Sequence, residues 1–188
     1  MKEKISTKSS QKLSDFLEKN ELHKKDFAQM IGVTLSYVYN LIDNTIPFST
    51  RSTTLERIAA VMEVEPEIFE EYRLPQEPVL IDDAVLKIKN ALSAKKMKTV
   101  DFLKSFPRTK RLDVVDILRG ALPVPLDFNE LKSIGSAAGI DNSEIFNIWE
   151  NRFKQVLESN GMNIYSNSEL VKSMINCADK FIKNAVKN

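Results

Sequence analysis

One cysteine, one histidine and one tryptophan occur in 188 residues. A lone Cys177 cannot close a disulfide within the chain or build a cysteine-based zinc site, and His23 is the sole histidine, so metal-ligand chemistry is nearly excluded. No cofactor is expected. Cys177 itself reads as a small buried residue on a helix face. There is no glycine-rich phosphate loop and no nucleophile elbow, and His23 lacks the fixed partners that acid–base work requires, so the expectation is a protein without enzymatic activity. Adjacent carboxylates such as Asp82 and Asp83, or Glu70 and Glu71, point in different directions on a helix and read as a cap and a solvated face. No apolar run reaches 18 residues, and the first thirty residues are charged throughout. Neither a membrane span nor a secretory signal is read, and the expected location is cytoplasmic.

Strand signals are also scarce. Asn-Gly and Asp-Gly hairpin turns are missing, while apolar residues recur at spacings of three and four nearly everywhere, so the expected fold class is all-α. Leu13, Phe16 and Leu17 define a first helix, with Ser9 or Ser10 as its cap. Phe27, Met30 and Ile31 define a short second one, ended by Gly32, a residue suited to the left-handed conformation of a tight turn. Thr34 reads as the N-cap of a third helix over 34–43. Its Val38, Leu41 and Ile42 face inward, leaving Leu35, Ser36, Tyr37, Tyr39 and Asn40 on the other side. Leu55, Ile58, Ala59 and Met62 mark a fourth helix, and 64–72 a short fifth with Pro66 in its first turn. LPQEPVL, with two prolines in five positions, reads as a linker over 74–81.

The pattern then repeats. Shifted by 75, Leu13, Leu17, Leu22, Asp26 and Phe27 fall on Ile88, Leu92, Met97, Asp101 and Phe102. Shifted by 76, Leu41, Ile42, Pro47, Leu55 and Ile58 fall on Ile117, Leu118, Pro123, Leu131 and Ile134; Phe69 and Tyr72 meet Phe146 and Trp149 at 77. A degenerate second copy of the five-helix unit is expected within 82–160. The remainder, 161–188, has no counterpart. Ser166 with Glu169 has the form of a capping box, and Leu170, Met174, Cys177 or Ala178, Phe181 and Ala185 make an apolar stripe, so a single amphipathic helix is expected there.

At 22–62 the residues LHKKDFAQMIGVTLSYVYNLIDN and TTLERIAAVMEV resemble the Cro and lambda-repressor type of helix-turn-helix domain, also called the xenobiotic-response-element family. The resemblance covers about residues 9–73, with Ala28, Gly32, Val33, Val38 and Leu41 at the family's small, turn and core positions. It implies a lambda-repressor-like domain over 1–73 whose third helix enters the major groove of double-stranded DNA. It also implies a transcriptional regulator that represses by occupying an operator. Thr34, Leu35, Ser36 and Asn40 then face base edges, flanked by Tyr37 and Tyr39. Asn40 can pair bidentately with adenine, and Leu35 can pack on a thymine methyl. Lys24, Lys25 and Arg51 are the candidates for phosphate contact, although a longer loop over 44–53 departs from the family pattern at Arg51.

Net charge is only +1, but its distribution is uneven: residues 1–62 carry nine Lys/Arg against seven Asp/Glu, and residues 95–111 carry seven against one. Lys98, Arg108, Lys110 and Arg111 are therefore candidates for accessory DNA contacts from the second copy. Reading of bases is not expected there, because Pro107 stands near the place of the turn glycine and Val115 or Asp116 replaces Asn40. The alternative role for the second domain and the C-terminal helix is homodimerisation, which would set two reading helices one DNA turn apart. A different reading is an antitoxin or anti-repressor type of protein whose second domain chiefly binds a protein partner.

Overall fold

The computed structural model describes residues 8–43, 48, 52–72 and 82–185. Among them every regular element is helical: α1 (Lys8–Lys19), α2 (Lys24–Ile31), α3 (Leu35–Ile42), α4 (Ser52–Met62), α5 (Asp83–Ala94), α6 (Thr99–Lys104), α7 (Arg111–Leu118), α8 (Phe128–Ala138), α9 (Asn142–Ser159) and α10 (Ser168–Ala185). Short 3-10 turns lie at Pro66–Ile68 and Arg108–Lys110. The all-α expectation holds. The fifth helix expected over 64–72 is reduced to the first of these turns, with Pro66 in it as expected. Ser9 and Ser10 are not caps but buried residues within α1: the Ser9 hydroxyl donates to Glu71 Oε2 (2.6 Å) and that of Ser10 to the Leu41 carbonyl (2.6 Å).

Two compact units divide the chain, Met1–Pro123 and Val124–Asn188. The linker expected over 74–81 lies outside the described residues. The division between the two units falls after Pro123, inside the span 82–160 expected to hold the second copy. In the first unit α1, α2 and α3 pack together, and α4 packs on α2, on α6 and on α7. Such packing needs a helix that is apolar on two faces, and α4 buries Val61 in addition to Leu55, Ile58 and Ala59; Met62, expected inside, is only half-buried. α7 completes this unit against α2, α5 and α6.

The spacing on which a repeat is expected has a counterpart in local backbone geometry. Glu21 (φ 48°) and Lys96 (φ 51°) both stand in the left-handed region after α1 and α5, and the next residue in each case closes the same bond: Leu22 N–H to the Leu17 carbonyl (2.9 Å), Met97 N–H to that of Leu92 (3.0 Å). After α4 and α8 the pair is Glu63 (φ 58°) and Gly139 (φ 79°), followed by Val64 N–H to Ala59 O (3.1 Å) and Ile140 N–H to Gly135 O (2.8 Å). These are helix-ending turns at the same offsets as the core residues.

In the second unit α8 packs on α9. Asp127 and Asp141 cap the two helices through their carboxylates, and Phe128, Phe146, Trp149 and Phe153 form an aromatic group, with the Trp149 indole N–H donating to the Leu126 carbonyl (2.9 Å). The helices meet closely at Gly135, where a Cβ would lie 2.6 Å from Ile145 Cγ1. Gly135→Ala gains about 1 kcal/mol of helix propensity but overpacks the contact by about 1–3 kcal/mol, so a net loss of about 1 kcal/mol is expected in urea unfolding. Ile145→Ala should then cost less in that background than in the parent chain.

α10 differs from its expected form. It begins at Ser168, and Ser166 is not its cap: the Ser166 hydroxyl and the Ser166 and Tyr165 N–H groups are bonded to Asn163. Among its described side chains Val171 and Ile175 are buried, whereas Leu170, Met174 and Cys177 are exposed. Over 168–178 the buried row is thus rotated by about one residue from the expected stripe, toward the β-branched Val171 and Ile175; the side chains of Phe181 and Ala185, also expected in the stripe, lie outside the described residues. Cys177, expected to be buried, belongs to the outer row.

Candidate nucleic-acid interface

α2 begins after His23, which is extended and exposed, and ends at Gly32 in the left-handed region (φ 70°, ψ 37°). The turn is closed by Val33 N–H to the Ala28 carbonyl (2.9 Å). Glycine suits this turn by its φ, and a Cβ there would lie 2.8 Å from Leu112 Cδ2, a side-chain end that would have to shift. Thr34 is the N-cap of α3: its hydroxyl oxygen accepts from Tyr37 N–H (3.2 Å). The bond satisfies one of the four N–H groups that a helix start leaves open.

α3 is held from below. Val38 and Leu41 are fully buried, and the Ser10 bond from α1 fixes its C-terminal end. Leu35 (38% exposed), Ser36 and Tyr39 (44%) stand outward, while Tyr37, Asn40 and Ile42 are half-buried. Lys24, at the first turn of α2, places its ammonium 4.6 Å from the centre of the Tyr39 ring, a cation–π contact worth about 0.5–1 kcal/mol at such a site. That contact fixes an aromatic ring and a cation at one edge of the outer face. Beside them is a cleft of about 570 Å³ lined by Leu22, His23, Lys24, Lys25 and Asp26, by Leu35 and Tyr39 of α3, and by Arg108. Thus Lys24, Lys25, Leu35 and Tyr39 of the expected site come together, with Thr34 and Ser36 on the adjoining turn. Arg51 lies outside the described residues.

The four cations of the second copy have different surroundings. Arg108 is 57% exposed at the side chain, with Nη2 3.2 Å from Asp26 Oδ1. Arg111 is only 12% exposed, with Nη1 4.0 Å from the same oxygen and Nε donating to the Phe106 carbonyl (3.2 Å). Lys98 Nζ donates to Asn20 Oδ1 (2.9 Å), and Lys110 is exposed at the end of the 3-10 turn.

α7 stands where a second reading helix was to be sought, and it is interior. Val114 through Leu118 are all buried, including both residues aligned with Asn40. Asp116 accepts two hydrogen bonds from Arg57 of α4 (2.8 and 2.7 Å) and one from Arg119 (2.8 Å), while Arg119 Nη1 reaches Glu56 Oε2 at 2.5 Å. Burial pushes the Asp116 carboxyl up, but the hydrogen bonds and charges of Arg57 and Arg119 outweigh it and hold it below the ordinary Asp value. The hydrogen bond to Asp116 likewise raises Arg57 against the opposing effect of burial. Sequence reasoning missed this network. Its signal was a carboxylate inside the apolar run Val114–Leu118, which is costly unless paired.

Comparison of the chain with protein-family models, with curated proteins and with solved structures finds no match. The site's chemistry therefore rests on its own side chains. Among the described residues no group of three or more His, Cys, Asp or Glu is placed to hold a metal ion, and no helix is long and apolar enough to cross a membrane.

Proposed function

We propose that the chain is a sequence-specific DNA-binding regulator that presents α3 to the major groove and represses by occupying its operator. The observation that carries the reading is the outward face of α3: Leu35, Ser36 and Tyr39 project from a helix anchored by Val38 and Leu41, with Lys24 and Lys25 on the same cleft. A helix so held can present donors, acceptors and a methyl-binding surface to base edges while the lysines meet phosphates. Ser36 and Asn40 supply the hydrogen bonds of base readout, and Leu35 the apolar contact.

Selection of operator DNA from random duplexes, followed by binding of Asn40→Ala and Ser36→Ala, tests this. Each substitution should lower discrimination between the selected site and a single-base variant by about 1–3 kcal/mol while leaving binding to unrelated DNA nearly unchanged. Equal binding of the parent chain to all duplexes would refute base reading by α3.

The exposed row Leu170, Met174 and Cys177 on α10, near the exposed Tyr165, supports a role for the second unit in association. We favour a homodimer, which matches the symmetry of a two-half-site operator. The same row supports the second reading, in which this unit binds a different protein as in an antitoxin or anti-repressor. A dimeric mass in solution favours the first and a monomeric one the second.

A further inference from the structure

We infer that Arg108, carried by the second copy of the repeat, is a backbone-gripping residue of the DNA surface formed by α2 and α3, and that Arg111 and Lys98 are not. This deepens the DNA-binding reading and rests on it. Arg108 shares the 570 Å³ cleft with Lys24, Lys25 and Tyr39, so three cations border one concavity beside the outward face of α3. Among the described residues that line it, the one carboxylate is Asp26. Its Oδ1 lies 3.2 Å from Arg108 Nη2, a charge pair without hydrogen-bond geometry, and more than half of the Arg108 side chain stays in solvent. A guanidinium has five N–H donors, and the pair with Asp26 leaves others for a phosphate oxygen.

Arg111 meets the same oxygen from the inside. With 12% exposure and Nε committed to the Phe106 carbonyl, it is a packing residue that carries charge. Lys98 lines a separate cleft of about 400 Å³ with Lys96 and Thr99, among others, and holds Asn20. The cluster of seven basic residues over 95–111 is thus split by the fold, and one member is delivered to the reading surface. In consequence the first copy reads DNA with a footprint that the second copy helps to define.

The test is the dependence of affinity on salt, measured with the full chain and its selected operator duplex. Replacing one phosphate-contacting cation flattens the slope of log affinity against log salt by about 0.9 on B-form DNA. Arg108→Gln should show that change, Arg108→Lys should restore most of the slope, and Arg111→Gln and Lys98→Gln should match the parent. Circular dichroism checks that each variant is folded; should Arg108→Gln fail to fold, the Arg108→Lys slope with Arg108→Met decides. A parent-like slope in Arg108→Gln or Arg108→Met overturns the assignment of Arg108 alone. A parent chain with no salt-dependent DNA binding overturns it together with the reading on which it rests.

Discussion

Replacing Asp116 by alanine should lower the unfolding free energy of the chain by about 3 kcal/mol at neutral pH, the cost of leaving partly buried charges without their counter-ion. Asp116 is 8% exposed, and its carboxylate is the centre on which Arg57 and Arg119 converge. Without it Arg119 keeps Glu56, but Arg57 loses both of its bonds and sits beside the Gly32 turn with nothing to orient it. Acid should act on the same group. The folded-state pKa of Asp116 is depressed, so its contribution is fully present above the unfolded value of about 4 and is lost as pH falls through the lower folded value. The stability gap between parent and variant should therefore be widest near neutral pH and close below about pH 4. Urea unfolding at a series of pH values measures it. A gap that stays constant down to strongly acid pH would mean that Asp116 matters only for its volume.

Periodicity made the helical elements of the first copy legible, because an amphipathic helix declares its buried face at spacings of three and four. Gly32 and Thr34 were legible for a stronger reason: each is nearly dictated by a backbone requirement, a left-handed turn and an open N–H group. The errors share a cause, which is packing from outside an element. Val61 is buried on a helix that packs on α2, α6 and α7 at once, and no local pattern announces so many partners. Two apolar rows on α10 gave two solutions, and only tertiary contact selects Val171 and Ile175 over Leu170 and Met174. Within the candidate site the lysines and outward residues of α2 and α3 could be named in advance. The arrival of Arg108 beside them could not, since it depends on how α7 docks on α2.

Docking of that kind makes α3 depend on residues far from it, and Phe102→Ala should expose the dependence. Phe102 is fully buried on α6 and packs edge-to-face on Phe106, with ring centres 5.1 Å apart. Truncation of a buried phenylalanine costs about 3–5 kcal/mol, a large part of the 5–15 kcal/mol available to an ordinary domain. If 1–73 formed a self-sufficient domain, the loss would be confined to the second copy, and the amides of α3 would keep their protection from hydrogen exchange. The packing of α6 on α4, and of α4 on α2, argues otherwise. The buried residues of α4, Leu55, Ile58, Ala59 and Val61, belong to a helix that loses one of its packing partners when α6 loosens. The expected result is that the Val38 and Leu41 amides lose protection by the same free energy as the amides of α6, since both belong to one cooperative opening. Unchanged protection in α3 would show that the first copy stands without the second. A parallel loss would mean that α6 and its neighbours are the buttress against which α3 is held.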